Sequence, residues 1–339
     1  RRPPRSTPLY SSAASDVYKR QGKIHTTDAT NASRTMLFNI TSNKWDKDIL
    51  KIFKLNEKIL PTVKNSADDF GFTSEKIVGQ KIKISAVLGD QQAAAIGQAC
   101  FEKGSVKSTY GTGAFLLMNT GEKKIMSKNK LITTICYRIN NKTTYALEGS
   151  IFIAGAGVQW LRDKIRLIDN AYETEKIAKS KKNSKGVYVV PAFTGLGAPY
   201  WNSKSRGLIT GLTRDSDWRD LVRATIESVA YQTSDLFLSM RKDGLNPKSV
   251  KVDGGMVSNN WFVQFLSEIL KIKITRSKIN ETTALGAAYM AGYQTGIYRS
   301  LSDIKQNWKK DRDFKPKFNK SYRNKLLQGW QQAIKKTLA

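Results

Sequence analysis

The stretch from Val250 to Gly292 constrains the fold most. Val250-Lys251-Val252-Asp253 reads as a short strand and Gly254-Gly255 as a turn. Ser258 or Asn259 then caps a helix carrying Trp261, Phe262, Phe265, Leu266, Ile269 and Leu270. Lys271 to Arg276 is the next strand, and Thr282 to Gly292 a helix of small residues. Strand, turn, helix, strand, helix is the signature of the α/β class. A glycine turn feeding a helix N-terminus also suits an anion or a nucleotide. It is not a Walker loop, because no G-x-x-x-x-G-K-[ST] occurs.

A second junction of this kind lies earlier. Ile82, Ile84, Ala86 and Leu88 alternate with polar or smaller residues, which predicts a half-buried strand. Gly89-Asp90-Gln91-Gln92 follows, and then the small apolar run from Ala93 to Phe101, which predicts a packed helix. Asp90 therefore falls where a strand ends and a helix begins. Ligands gather at such strand ends in open α/β sheets. From these residues alone Asp90 is either a general base or a simple helix cap.

Between these junctions, Val106 to Met118 reads as two extended arms around Gly111-Thr112-Gly113, a hairpin with a glycine turn. Its backbone and the Thr112 hydroxyl can face a phosphate, or the turn can be an ordinary tight one. Thr143 to Glu148 is a strand, and Ile151 to Arg162 a helix whose first turns hold Ala154, Gly155, Ala156 and Gly157. Tyr188 to Phe193 is an apolar strand running into a glycine- and aromatic-rich loop, Thr194 to Trp201. Asp217 to Met240 is a long amphipathic helix. Nearer the start, Asp28 to Thr35 reads as a polar loop, and Asp46 to Ile59 as one amphipathic helix stopped by Pro61.

Composition limits the function classes. The 339 residues suit two domains rather than one small core. No apolar run reaches the roughly 18 residues of a membrane span, and no signal-peptide pattern opens the chain. Cys100 and Cys136 are too few for a disulfide framework or a zinc site, and fit a cytoplasmic protein as small buried hydrophobes. With His25 the single histidine, histidine-based metal or triad chemistry has little to work with. The net charge of +29 is spread along the chain, without a nucleic-acid module or a long basic arm. It reads as solvated surface, with no specific nucleic-acid partner. Residues 1 to 21 are Pro/Arg-rich and then small and polar, and read as a disordered or extraneous tail.

Several segments then align with a known pattern. They are Gly89 to Ala94, Thr109-Tyr110-Gly111-Thr112-Gly113, Asn119-Thr120-Gly121, Pro191 to Trp201, and Asp253-Gly254-Gly255 with Asn259-Asn260. Their order and spacing resemble the glycerol kinases of the FGGY carbohydrate-kinase family, from about residue 23 to near residue 337. The aromatic loop at 193 to 201 favours that branch over the sugar kinases. The resemblance implies a two-lobed actin-like ATPase (ribonuclease H-like) fold. Residues 22–98 would be the later part of lobe one, and 99–339 the nucleotide-binding lobe two.

The resemblance further implies ATP-dependent phosphorylation of glycerol to sn-glycerol 3-phosphate, with ADP released. Asp90 would be the general base. Gln91 would hydrogen-bond glycerol, and Phe115 would pack on its carbon face. Thr112, Gly155, Gln159, Gly255 and Asn259 would hold the nucleotide, and Mg²⁺ would bridge the phosphates, with no metal ligand assigned in the chain. A homo-oligomer is compatible with it. The alternatives are a related polyol or sugar kinase and a non-catalytic ATP-binding fragment. Members of the family also carry an Asp-Gly-Thr phosphate loop and an Arg-Glu pair that grips glycerol. Neither has a counterpart here, which predicts low activity for this chain alone and apolar surface exposed in its first part. Regulated bacterial members have a glycine-rich loop for fructose 1,6-bisphosphate. The matching segment Ser74 to Lys81 has one glycine, so the resemblance does not carry that control over.

Overall fold

The computed structural model describes residues 24–339, so the tail expected over residues 1 to 21 lies outside the described residues. In the first part, β1 (Thr26–Asp28) leads into one helical turn, α1 (Ala29–Ala32). A two-residue hairpin follows, β2 (Phe38–Asn39) and β3 (Lys44–Trp45), then α2 (Lys47–Ile52) and β4 (Thr62–Lys64), which pairs parallel with β1. The turn α3 (Glu75–Val78) and extended chain lead to α4 (Asp90–Gly97).

The polar loop expected at Asp28 is instead buried structure. The Asp28 carboxylate caps α1, accepting from the Thr30 and Asn31 amides at 2.9 Å each and from Ser66 Oγ at 2.8 Å. Burial pushes that carboxyl up, and these donors oppose the shift. The helix expected from Asp46 to Ile59 ends at Ile52. Lys54 turns left-handed at φ 54°, and Asn56 caps a separate 3-10 turn, Glu57–Ile59. Ile52 and Phe53 stay exposed, so no apolar stripe holds the helix together beyond that point.

Residues 82 to 88 are extended but form no regular strand. Their partners in 66–73 pair irregularly, with isolated bridges at Ala67–Ala86 and Phe72–Lys83. Ser85 is buried and Ile82 exposed, so the apolar alternation does not set the face. The helix after them starts earlier than the apolar run suggested, at Asp90 with Gly89 as its cap, and ends at Gly97.

The second part is built on a seven-stranded sheet. Its strands are β5 (Val106–Tyr110), β6 (Ala114–Gly121), β7 (Ile132–Ile139), β8 (Lys142–Ile151), β11 (Ser249–Asp253), β12 (Lys273–Ser277) and β13 (Lys310–Phe314). Between β8 and β11 lie α5 (Gly155–Asp163), α6 (Glu173–Ser180), the small hairpin β9 (Tyr188–Val190) and β10 (Leu208–Thr210), and α7 (Trp218–Lys242). After β11 come α8 (Asn260–Leu270), α9 (Thr282–Gln294), α10 (Leu301–Asn307) and α11 (Lys320–Leu338). The spatial order is β13-β12-β11-β5-β6-β8-β7, with β12, β11 and β5 parallel and the other pairs antiparallel.

The two faces of this sheet differ. One carries Val106, Tyr110, Leu116, Leu147, Val250 and Val252 into the main core, where α7, α8 and α11 supply Tyr231, Phe237, Phe262 and Trp330. Asp217 starts α7 with a capping box to Asp220. The other face receives α4 and α9, with Ile96 and Met290 meeting Leu117, Cys136 and Ala146. Cys100 and Cys136 are buried free thiols, and burial pushes Cys100 up to about 11.

Candidate active site

Three glycine-bearing turns meet at one end of the sheet. The first is Gly111-Thr112-Gly113, which joins β5 to β6. The second is the N-terminus of α5, where Gly155 N donates to Gly111 O at 2.8 Å and Ala154 N to Thr112 O at 2.9 Å. The third is Gly254-Gly255, after β11. Gly254 sits at φ +92°, and a Cβ on it would lie 2.5 Å from Tyr110 O. Only glycine lets the end of β11 lie on the end of β5.

These turns form the floor of a cleft of about 920 Å³. Thr112, Gly155, Gln159, Gly255 and Asn259 all line it. A Cβ at Gly255 would meet nothing within 4 Å, so that residue faces open space. The Asn259 side chain makes two bonds. Its Oδ1 caps α8 by accepting from Phe262 N at 2.9 Å, and its Nδ2 donates to Thr174 Oγ1 at 3.2 Å. Asn260 N donates to Glu175 Oε2 at 3.1 Å. The N-terminus of α8 is thereby tied to α6, which forms the far wall with Tyr172, Glu175 and Lys176. The sequence carried no signal for that wall, because its residues are ordinary for an exposed helix. The cleft suits a nucleotide, with glycine backbone open to it, hydroxyl and amide side chains, and basic side chains at Lys176 and Lys179. Among the described residues no group of three His, Cys, Asp or Glu could hold a metal ion.

The same strand reaches a second polar centre. Side chains alternate along strands, and directly opposed residues share a face. Asp253 lies opposite Thr109, Thr109 opposite Phe115, and Phe115 opposite Ser150. Two residues along, Lys107 lies opposite Leu117, and Leu117 opposite Glu148. All of these look toward α4. Lys107 to Gly111 is about 13 Å at the rise of a β-strand.

At this centre the first residue of α4, Asp90, is exposed. Its Oδ1 accepts from Gln91 N at 2.7 Å and its Oδ2 from Gln91 Nε2 at 3.2 Å. The ammonium of Lys107, fully buried, donates to Gln91 Oε1 and to Thr109 Oγ1. Burial pushes Lys107 down, and the charges of Asp253, Glu148 and Asp90 oppose this. Arg34 grips the buried Glu148 through both Nη atoms, at 2.7 and 2.8 Å. Burial works against the Arg34 charge, but Glu148 outweighs it and Asp90 adds to the effect, so the guanidinium lies above its ordinary value. Asp253 is buried and accepts from Gln98 Nε2 and from Thr282 Oγ1. Phe115 is half-buried on the same face. Arg34, Lys107 and Glu148 were not singled out from the sequence, where each reads as an ordinary charged residue of a loop or strand.

The comparisons agree with this architecture. Residues 17–97 match the N-terminal domain, and residues 106–295 the C-terminal domain, of the FGGY family of carbohydrate kinases. The chain is 53% identical over 315 residues to glycerol kinase 1 of Pseudomonas aeruginosa, covering 93% of this chain and 64% of that protein. It is 53% identical over 313 residues to the glycerol kinase of Alteromonas mediterranea, covering 92% of this chain and 63% of that protein. The chain thus spans less than two thirds of these relatives. Plasmodium falciparum glycerol kinase with ADP superposes with a TM-score of 0.89 at 41% identity, covering 96% of this chain and 66% of that one. Gluconate kinase from Lactobacillus acidophilus superposes with a TM-score of 0.84 at 20% identity, over 95% of this chain and 66% of that one, a likeness of fold. With the mixed sheet, the three glycine turns and matches over both domains, the chain has the actin-like ATPase fold and belongs to the FGGY family of carbohydrate kinases.

Proposed function

We propose that this chain carries the general base and the nucleotide cleft of a glycerol kinase, which transfers the γ-phosphate of ATP to glycerol and yields sn-glycerol 3-phosphate and ADP. One observation carries the reading. Thr112, Gly155, Gln159, Gly255 and Asn259 come from separate elements yet line one cleft, and β5 runs from that cleft to Lys107, which holds Gln91 beside Asp90. Asp90 accepts the proton of a terminal glycerol hydroxyl as that oxygen attacks phosphorus. Its exposure gives it access to the substrate, and the two donors of Gln91 fix its orientation. Gln91 hydrogen-bonds glycerol, and Phe115 offers an apolar surface to the carbon chain. The cleft residues hold the nucleotide, and a Mg²⁺ bound with it would supply charge neutralisation at the phosphates. The identity to glycerol kinases supports glycerol over a larger sugar. Among the described residues no helix is long and apolar enough to cross a membrane, and the reading places the reaction in the cytoplasm with its ATP.

The experiment incubates the purified chain with glycerol, ATP and Mg²⁺ and measures sn-glycerol 3-phosphate, alongside calorimetric binding of ADP. Glycerol-dependent product supports the proposal. ADP binding with no product from glycerol, but product from another polyol or sugar, moves the substrate. ADP binding without any product leaves a nucleotide-binding module.

A further inference from the structure

Lys107 sits fully buried in the middle of the seven-stranded sheet. An ammonium in such a place is costly unless it is bonded and balanced. The balancing charges come from every side, with Asp253 on β11, Glu148 on β8 and Asp90 on α4, while the Cys100 thiol lies nearby after α4. Arg34 in turn takes up much of the charge of Glu148. The hydrogen bonds are more specific than the charges. They go to Gln91 Oε1 and Thr109 Oγ1.

A lysine ammonium can only donate. The Gln91 atom facing it must therefore be the carbonyl oxygen. That choice turns Nε2 toward Asp90 Oδ2, 3.2 Å away. With the amide reversed, two oxygens would face each other at Asp90, and the ammonium would face an NH2 group. We propose that Lys107 is a positioning residue that fixes the amide of Gln91, so that Gln91 holds the Asp90 carboxylate in one orientation. It acts through Gln91 and does not touch the substrate. The importance of this for turnover rests on the glycerol kinase reading above, whereas the amide orientation itself does not.

The test uses the full chain as wild type, Lys107→Met, Gln91→Ala and the double variant. Proton–nitrogen spectra of glutamine-labelled protein identify the Gln91 side-chain amide by its loss in Gln91→Ala. In wild type its two protons are expected well separated and slow to exchange with water, and in Lys107→Met they move to the positions of exposed glutamines. An unmoved amide in folded Lys107→Met overturns the proposal, whether or not the chain turns over glycerol. If Lys107→Met does not fold, the wild-type spectrum decides, and Gln91 protons at the positions and exchange rates of exposed glutamines overturn it. In initial rates, Lys107→Met is expected to lower kcat for glycerol on the order of 100-fold while the KM for ATP stays unchanged. In the Gln91→Ala background the same substitution should add nothing. A full further loss there also overturns the proposal, since Lys107 would then act without Gln91. Wild type that makes no glycerol 3-phosphate but shows the expected spectra removes the glycerol reading and leaves the assignment of Lys107 standing.

Discussion

Gly97 of α4 and Gly286 of α9 pack backbone against backbone. A Cβ on Gly97 would lie 1.9 Å from Thr282 O, and one on Gly286 would lie 1.8 Å from Ala93 O. Gly97→Ala and Gly286→Ala should each destabilise the chain by about 1–3 kcal/mol, through overpacking that rigid backbone cannot relieve. Urea unfolding measures it. A change below a few tenths of a kcal/mol would mean that the helices separate easily.

Gly255 makes the opposite case. Its Cβ direction is empty and opens on the cleft. Gly255→Leu should leave the thermal midpoint unchanged and weaken ADP binding at least about tenfold, or roughly 1.4 kcal/mol. Calorimetric titration reads the affinity directly. Equal affinity in a folded variant would remove the turn from the nucleotide site.

Much of the second part was legible in the sequence because its signals are local. Gly254-Gly255, the hairpin turn at Gly111 and the cap at Asn259 are dictated by backbone chemistry within a few residues. The small residues of α9 read as a helix, and the reason for Gly286 appears only in the partner helix, whose backbone at Ala93 and Gly97 it meets. Residues 82 to 88 misled because alternation marks a strand only when a regular partner is present, and residues 66–73 pair irregularly. Asp28 and Thr30 looked like loop residues because polarity alone does not show that their donors and acceptors satisfy one another. Lys107 was missed for a related reason. A lysine in a strand reads as solvated until the register shows Asp253 and Glu148 on the same face.

For the chemistry, Asp90→Asn keeps the size of the side chain and removes its capacity to take a proton. It should lower kcat for glycerol phosphorylation by about 10²–10⁴-fold and leave ADP affinity unchanged. Coupled-assay rates and calorimetry on one preparation separate the two effects. Undiminished turnover would exclude Asp90 as the base.

Asp235 of α7 predicts a pH dependence far from the cleft. Its carboxylate accepts from Trp330 Nε1 at 2.8 Å, Tyr200 OH at 2.9 Å and Gln331 Nε2 at 2.8 Å, joining α7 to α11 and to the aromatic loop. Burial raises the carboxyl to about 6, although these three donors pull the other way. The folded chain therefore binds this proton more tightly than the unfolded chain, whose value is near 3.8. The stabilising contribution is full well below pH 3.8, declines above it and is lost as the pH rises through 6. The gap corresponds to about 3 kcal/mol. Asp235→Asn cannot titrate at this position, so wild type should lose roughly 2.4 kcal/mol relative to the variant between pH 4 and pH 7. Urea titrations of both proteins across that range measure the difference. A constant difference would mean that Asp235 stays ionised throughout, held by its three donors against burial.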